Sequence, residues 1–277
     1  MRELNLAYPK FGDIKYDLIR FPDGQQQIIL TNKEVYTGSV MIKSYLRDFL
    51  DLEVICCAVA SLREMGIDEI HIELPYILGG RSDRKFENGG NNYIRDVISP
   101  IINSLNFKTI RTIDPHSDVL EACLMRLKYK DNLSLVKFAI DDIQIKSFNL
   151  VVVDAGASKK IDKLATQLSH KYDINIVSCH KVRNIKTGKI EKVEVFSKDL
   201  KNLPCLIVDD IADGGNSFIY CVKELEKINN YNKSYLIVTH GIFSSGFDSI
   251  KPHFEKIYCT NSYKEIHETF VKQLNVY

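Results

Sequence analysis

Residues 205–217 read CLIVDDIADGGNS and decide the fold of the region around them. The run 205–208 is continuously apolar and does not alternate with polar residues, which is typical of a strand covered on both faces. Two adjacent carboxylates, Asp209 and Asp210, follow the run at once, and two glycines come shortly after them. This order predicts a buried strand that ends in an acidic, glycine-rich turn.

Similar apolar runs recur along the chain, with amphipathic segments between them. The apolar runs are 70–76, 150–156, 174–179, 206–210 and 235–240, and the segments with helical periodicity are 51–65, 158–172 and 217–228. Gly66, directly after the first of these segments, is suited to end a helix. Strands that alternate with helices predict an α/β protein with largely parallel sheets.

The two halves of the chain echo each other. Apolar strands end in polar residues near 76 and 114 in the first half, and near 154 and 210 in the second. We therefore expect two similar α/β domains, 1–140 and 141–277, with the segment 140–149 as the crossover.

Composition and charge exclude several classes of partner. Lys and Arg number 37 and Asp and Glu 36, a formal net charge of +1, which argues against electrostatic binding to nucleic acid along the whole chain. No apolar run reaches about 18 residues, and residues 1–10 lack the apolar stretch of a signal peptide. The seven cysteines are scattered without a Cys-x-x-Cys pair. We expect reduced thiols in a cytoplasmic protein that binds neither nucleic acid nor membranes.

Polar side chains gather where the predicted strands end. Ligands of open parallel sheets bind beyond the carboxyl ends of the strands, which is where Asp114, Asp154, Asp209 and Asp210 fall. Paired carboxylates can accept two hydroxyls of a sugar, while the backbone N–H groups of a glycine turn and the next helix can bind a phosphate. The alternative is that Asp210 or Asp213 only caps that helix.

Six further stretches support a specific resemblance. They are FPDGQ (21–25), PYILGGRSDRK (75–85), DPHSD (114–118), VVDAGASKK (152–160), HKVRN (180–184) and VTHGIFSSG (238–246). In this order they resemble the motifs of ribose-phosphate pyrophosphokinases, the PRPP synthetase family, and 205–217 resembles the family's phosphoribosyl-diphosphate signature. The resemblance implies two tandem type I phosphoribosyltransferase-like domains. It also implies transfer of the diphosphoryl group of ATP to the 1-hydroxyl of a 5-substituted ribose, with release of AMP.

The resemblance also implies roles for single residues. ATP, the co-substrate, is implied to contact Phe21, Asp23, Gln25, Arg81, Asp83, Arg84 and His116. Its Mg²⁺ ion is implied to contact His116 and Asp154. The ribose and its 5-substituent are implied to contact Asp209, Asp210, Asp213, Gly214, Gly215, Asn216 and Ser217. Lys181 and Arg183 are implied to be catalytic.

Two of these roles have ordinary alternatives. Lys181 and Arg183 are two residues apart, so in an extended backbone their side chains point to the same face. Two cations on one face suit a mobile loop that closes over phosphates, and the alternative is a solvated basic hairpin. Phe21 is implied to stack on the adenine bound to a neighbouring subunit, and the alternative is an aromatic residue of the core.

The ribose-phosphate turn departs from the family pattern Asp-Asp-x-x-Asp-Thr-x-Gly-Thr. Gly214 replaces the first Thr and Asn216 replaces the later Gly, while Gln25 and Ser82 depart from the pattern of the ATP motifs. The altered turn and DPHSD resemble most a bacteriophage branch that is associated with NAD salvage, some members of which use ADP-ribose. We therefore favour ADP-ribose as the acceptor, with ribose 5-phosphate as the alternative.

Two other functional classes stay open. A non-catalytic regulator related to PRPP synthetases would keep the fold, but it would have no chemical need for the acidic pair and the cationic loop together. A phosphoribosyltransferase would consume PRPP, and it usually has one such domain without an ATP site. The resemblance further implies small-molecule substrates and a homo-oligomer, either a dimer or a hexamer, because ATP sites in the family borrow residues from a neighbouring subunit.

Overall fold

The computed structural model of the chain describes residues 1–31, 38–85, 87–153, 156, 158–183 and 190–277, with the backbone alone at 180–183 and 190–193. The chain divides into two compact units. Unit 1 comprises Met1–Asp131 together with Val276–Tyr277, and unit 2 comprises Asn132–Asn275.

Unit 1 contains a five-stranded parallel sheet and a separate hairpin. Its strands are β1 (Arg2–Asn5), β2 (Tyr16–Arg20), β3 (Gln26–Leu30), β4 (Val40–Lys43), β5 (Ile70–Glu73), β6 (Thr109–Ile113) and β7 (Leu127–Lys130). Its helices are α1 (Phe49–Glu64), α2 (Ser99–Ser104), which continues a π-helical turn at Ile94–Ile98, and α3 (Asp118–Cys123). The sheet order is β1-β4-β5-β6-β7 with all neighbours parallel, and β2 and β3 form the antiparallel hairpin.

Helix α1 has local signals at both ends, of which the sequence analysis named only Gly66. Asp48 caps its first turn by accepting a hydrogen bond from the backbone N–H of Asp51, which satisfies a donor that the helix itself leaves unpaired. At the other end Gly66 takes a left-handed conformation with φ of +80°. Leu52, Ile55, Val59 and Leu62 are buried in the core of unit 1, because residues three and four apart share a helix face.

Unit 2 contains a seven-stranded sheet between helices. Its strands are β8 (Ser147–Val152), β9 (Asp173–Arg183), β10 (Ile190–Val195), β11 (Cys205–Ala212), β12 (Ser234–Gly241), β13 (Lys256–Thr260) and β14 (Val271–Leu274), and its helices are α4 (Leu133–Ile143), α5 (Ser158–Leu168) and α6 (Asn216–Leu225). The order is β10-β9-β8-β11-β12-β13-β14, and the pairing is parallel except between β9 and β10.

The continuous apolar run of β11 reflects burial on both faces of the sheet. Cys205 and Ile207 pack into one core cluster, with buried residues of α6. Leu206 and Val208 pack into the other, with buried residues of α4 and α5. The predicted α/β architecture with mostly parallel sheets is what the chain adopts. In the part of the chain that the structure describes, no helix is both long and apolar enough to cross a bilayer.

The boundary between the units differs from the one the sequence suggested. The expected division at 140/141 falls inside α4, and the expected crossover 140–149 contains the end of α4 and the first half of β8. The physical reason is that Leu135, Val136, Ala139 and Ile140 are buried in a core cluster of unit 2. Helix α4 therefore belongs wholly to unit 2, which begins at Asn132.

Candidate active site

The acidic pair lies near the carboxyl end of β11, in the middle of the sheet of unit 2. Asp210 is only 6% exposed, and its backbone N–H donates to Asp209 Oδ1 at 2.9 Å. The ammonium group of Lys160, in the first turn of α5, lies 3.9 Å from Asp210 Oδ2. A buried carboxylate is costly unless it is paired or hydrogen-bonded, so Lys160 supports a carboxylate that the fold has removed from water.

The turn after β11 leads directly into α6. Gly215 precedes the helix with φ of +80°, a conformation that L side chains rarely adopt. Asn216 is exposed and Ser217 is half-buried at the start of the helix. Its N-cap residue Gly215 has no side chain that could cap the helix, and the first N–H groups of α6 point to the same end as the turn.

Gly215 holds the N-cap position of α6, so neither Asp210 nor Asp213 is its N-cap residue. Asp213 Oδ1 accepts a hydrogen bond from the hydroxyl of Ser244, in the segment after β12. Residues 209–217 thus form one continuous wall at the carboxyl edge of the sheet, which is where open parallel sheets bind ligands.

In unit 1, two predicted ATP loops follow neighbouring strands. Arg81, Asp83 and Arg84 follow β5, and His116 follows β6. Strands β5 and β6 are parallel neighbours, and the hydroxyl of Thr112 on β6 donates to the carbonyl of Pro75 after β5 at 3.1 Å. Both loops therefore lie at the same edge of this sheet.

The loop after β5 is braced by Asn92, which the sequence analysis did not single out. The Asn92 amide donates to the carbonyl of Asp83 at 2.5 Å, and its side-chain oxygen accepts from the N–H of Arg95 at 3.0 Å. Asn92 is itself buried, while Arg81 and Arg84 are exposed. The bracing leaves two guanidinium groups at the surface of an ordered loop, an arrangement suited to phosphate oxygens.

The other loop begins with a buried carboxylate. Asp114 is 4% exposed and has a positive φ of 42°, and its N–H donates to the carbonyl of Lys130 at 2.8 Å. His116, two residues on, is exposed. The left-handed residue turns the chain away from the sheet, so that His116 projects beyond the strand end.

The hairpin presents Phe21 to solvent. Phe21 is 39% exposed, so it is not a residue of the core. Its N–H donates to the carbonyl of Gln25 at 2.8 Å, and the N–H of Gln25 donates to Asp23 Oδ1 at 3.1 Å. These bonds make an ordered turn with an aromatic ring at its start.

The two catalytic candidates lie on strand β9. Lys181 pairs with Val193 and Arg183 pairs with Ile190 across the antiparallel β9–β10 ladder. The backbone of both residues is therefore extended, as the argument from their spacing requires. Both the cationic lid and the plain basic hairpin fit this backbone.

The implied magnesium site can be tested in part. Asp154 lies outside the described residues, and within the described ones no three His, Cys, Asp or Glu side chains gather into a metal-binding group. Mg²⁺ needs only one or two protein ligands because water and phosphate oxygens complete its shell. Asp114 and His116 at one strand end are donors of a kind that fits such an ion.

Comparisons with known proteins first define the class. No family model matches the chain. A crystal structure of phosphoribosylpyrophosphate synthetase from Mycobacterium smegmatis superposes with a TM-score of 0.82 at 15% identity, and the match covers 99% of this chain and 95% of that one. The predicted fold class is therefore confirmed: the chain has the α/β fold of a phosphoribosylpyrophosphate synthetase.

Curated relatives then indicate the family. Ribose-phosphate pyrophosphokinase of Mycoplasmopsis pulmonis is 27% identical over 254 residues, covering 87% of this chain and 74% of that protein. Ribose-phosphate pyrophosphokinase 4 of Saccharomyces cerevisiae is 28% identical, covering 84% and 70%, and the Thermococcus kodakarensis enzyme of the same name is 25% identical, covering 84% and 80%. The chain is thus similar, over most of its length, to several proteins named ribose-phosphate pyrophosphokinase.

Proposed function

We propose that the protein transfers the pyrophosphoryl group of ATP to the 1-hydroxyl of ribose 5-phosphate, producing AMP and PRPP. The observation that carries the proposal is the wall 209–217, where an acidic pair with a buried Asp210 leads through a glycine turn into α6 at the carboxyl edge of the sheet. The names of the curated relatives support the same enzyme class.

The acidic pair suits the sugar. Asp209 and Asp210 lie on successive positions of β11, and each offers carboxylate oxygen to a ribose hydroxyl. A hydrogen bond to an ionised acceptor is stronger than one between neutral groups, and burial of Asp210 excludes competing water. Lys160 places a positive charge 3.9 Å from this carboxylate.

The turn suits the 5-phosphate. Anions bind at helix N-termini because the backbone N–H groups and the helix dipole both favour negative charge. Only three residues, 213–215, separate the end of β11 from the start of α6. A ribose held by the acidic pair would therefore direct its 5-substituent towards α6.

We assign the ATP contacts to unit 1. Arg81 and Arg84 would bind phosphate oxygens, with Asp83 in the same braced loop and His116 in the neighbouring loop. Phe21, Asp23 and Gln25 form the hairpin turn that would reach the adenine in a neighbouring copy. Mg²⁺, held at His116 and Asp154, would neutralise phosphate charge when ATP binds.

Lys181 and Arg183 would stabilise the transition state. Phosphoryl-group transfer needs positioning and neutralisation of charge on phosphate oxygens more than it needs covalent chemistry. We assign to these two residues the neutralisation of charge on the phosphates of the transferring group. A non-catalytic regulator has no chemical need for both this pair and the acidic pair.

The identity of the acceptor is the open choice within this reaction. The sequence analysis favoured ADP-ribose on the strength of the altered turn, whereas the relatives are named for ribose phosphate, and we therefore take ribose 5-phosphate as the acceptor. One observation keeps ADP-ribose as a second candidate: a Cβ on Gly214 would meet nothing closer than Ser245 Oγ at 3.6 Å, so the turn has room beside it for a larger 5-substituent.

The test offers each acceptor separately to the purified protein with Mg²⁺ and ATP, and identifies the products by mass spectrometry. AMP with PRPP is the expected result. AMP with a diphosphorylated ADP-ribose, and no PRPP, would show that ADP-ribose is the acceptor. No AMP with either acceptor would contradict the proposed function.

A variant checks that the activity belongs to this site. Asp210→Asn should raise the KM for the acceptor at least tenfold, because a charged acceptor becomes a neutral amide. Its KM for ATP should change little. Asp141→Asn, which removes an exposed carboxylate on α4, is the matched control and should leave both constants unchanged.

A further inference from the structure

We propose that the segment after β12 completes the 5-phosphate site, with the Ser245 hydroxyl as a direct ligand of the phosphate and Ser244 as the residue that positions the segment. This inference rests on the proposed function and adds two residues that the sequence analysis left without a role. They belong to VTHGIFSSG (238–246), a motif to whose residues the sequence analysis assigned no contact.

Strand pairing brings the segment to the site. β12 is the parallel neighbour of β11, and Ile211 and Ala212 pair with His240 and Gly241. Beyond the strands, the N–H groups of Ile242 and Phe243 both donate to the carbonyl of Ala212, at 2.8 and 3.1 Å. The segment is therefore bonded to the last residue before the acidic turn.

Aromatic packing holds the segment after β12 in place. Phe243 is buried with a positive φ of 45°, and its ring lies 4.8 Å from that of Phe247. Gly241 makes this fold-back possible, because a Cβ there would stand 2.5 Å from the Phe243 ring. The backbone reversal places the two serines that follow on the side of the turn 213–215.

Both serines then face the turn. The Ser244 hydroxyl donates to Asp213 Oδ1. The Ser245 Oγ lies 3.6 Å from the place where a Cβ on Gly214 would stand, and Ser245 is exposed. Gly214 has no side chain of its own, so an accessible hydroxyl from the neighbouring segment lies where the turn offers only backbone.

The two hydroxyls would act differently. Ser245 can donate to a phosphate oxygen held at the start of α6, and a hydrogen bond to a charged group is worth more than a neutral one. Ser244 engages the carboxylate of Asp213. Without that bond the carboxylate could turn towards the N–H groups of α6, as aspartates do at helix starts, and compete with the phosphate.

The test is steady-state kinetics of Ser245→Ala with ribose 5-phosphate. We expect the KM for ribose 5-phosphate to rise about tenfold, with kcat and the KM for ATP within twofold of the wild type. Ser245→Thr keeps the hydroxyl and should keep the wild-type KM. Ser249→Ala, an exposed serine of the same segment, is the matched control and should change nothing.

A rescue variant separates a ligand from a merely structural residue. The backbone of Gly214 is not in the left-handed region, so an L residue fits there without strain. A Cβ on Gly214 would make only an ordinary van der Waals contact, with Ser245 Oγ. Gly214→Ser combined with Ser245→Ala should therefore restore the KM to within threefold. Ser244→Ala should raise the KM as well, but Gly214→Ser should not restore it.

Calorimetric binding of ribose 5-phosphate separates this inference from the proposed function. An unchanged affinity and KM in Ser245→Ala, with an active wild type, would overturn the inference alone. A wild type that forms no AMP but binds ribose 5-phosphate more tightly than Ser245→Ala would support the inference while the proposed function fails. A wild type that neither turns over nor binds ribose 5-phosphate would overturn both.

Discussion

At Asp210 the fold holds a charged group where water cannot reach it. The side chain is 6% exposed, and the counter-charge comes from Lys160, fifty residues earlier in the chain, at 3.9 Å. Lys160 stands in the first turn of α5, where a cation is disfavoured by the helix dipole. Its position is therefore explained by Asp210 and not by the stability of α5.

A second cation, Lys181, gives a test of transition-state stabilisation. We expect Lys181→Ala to lower kcat by about 10²–10³, because charge on the phosphate oxygens is matched more closely in the transition state than in bound ATP. The KM for ATP should change far less than kcat. The measurement is steady-state AMP formation, with Lys171→Ala, an exposed lysine after α5, as the control. A raised KM for ATP with an unchanged kcat would show that Lys181 only binds substrate.

The glycine before α6 can be compared with a glycine of equal conformation elsewhere. Gly215 and Gly66 both have φ of +80°, but a Cβ on Gly215 would stand 3.1 Å from Ile250 Cδ1, while one on Gly66 meets nothing within 4 Å. Both Gly→Ala variants should lose about 1 kcal/mol of unfolding free energy from backbone strain. Only Gly215→Ala should also raise the KM for the acceptor, because Ile250 must shift beside the turn. Equal kinetics in the two variants would contradict a role for the turn in acceptor binding.

Among the elements, α4 is tied to the last two strands of the sheet by one carboxylate. Asp142 lies 3.2 Å from Lys256 Nζ, accepts a hydrogen bond from the Tyr258 hydroxyl at 2.9 Å and contacts Lys272 Nζ. The hydrogen bond from Lys272, followed by those from Tyr258 and Lys256, lowers the pKa of Asp142 to about 2. The carboxylate joins α4 to β13 and β14, two strands for which the sequence showed no clear signal.

This cluster predicts how stability depends on pH. The unfolded carboxyl group takes up a proton near pH 4, whereas the pKa of folded Asp142 is about 2. The unfolded state therefore binds more protons in this window, and stability falls as the pH drops from about 4 to about 2. Asp142→Asn should cost about 1 kcal/mol at pH 7 and should flatten this part of the pH profile.

Chemical denaturation between pH 7 and pH 2 measures both effects of Asp142→Asn. The control is Asp141→Asn, the adjacent and exposed carboxylate, whose nearest described cation is Lys171 at 3.8 Å. A pH profile of Asp142→Asn that runs parallel to the wild type would show that the cluster does not stabilise the folded state.

Local patterns predicted the elements that obey them and missed those that depend on distant contacts. The runs in β8, β11 and β12 were predictable because burial on both faces leaves no polar positions. The short edge strands β7 and β14 carry lysines and exposed positions, so no apolar run in the sequence predicts them. The domain boundary was misplaced because the sequence alone does not show that α4 packs against Phe148 and its neighbours in unit 2.

The residues of the candidate site also differ in how far the sequence predicts them. Asp209 and Asp210 were predictable because they directly follow the apolar run 205–208. Lys160, Asn92 and Ser244 act on residues that are nine to fifty positions away in the sequence, and only the pairing of strands and helices brings these partners together. For Ser244 the motif VTHGIFSSG was a signal, but it carried no chemical role before β12 was seen beside β11.

At the scale of the whole molecule, the hairpin β2–β3 leaves two isoleucines exposed on its outer face, across from Asp17 and Gln27. One face holds Ile28, which is buried in the core of unit 1, and Ser61 of α1 donates to its carbonyl at 3.2 Å. The register places Ile19 and Ile29 on the opposite face, where they are 37% and 46% exposed. Apolar side chains grouped on an outer sheet face are typical of an interface between protein chains.

We expect the protein to be a homo-oligomer that uses this face, with the hairpin turn and Phe21 carried to a neighbouring copy. Light scattering should give a mass of at least two chains, and the double variant Ile19→Glu with Ile29→Glu should lower it, because charges on an apolar interface must be desolvated. Gln27→Glu, a polar position on the same face, is the control for added charge and should have a much smaller effect.

If Phe21 stacks on the adenine of a neighbour, dissociation should raise the KM for ATP and leave binding of ribose 5-phosphate intact, since the acidic wall 209–217 belongs to unit 2 alone. A monomeric wild type with full activity would contradict both the interface and the shared ATP site.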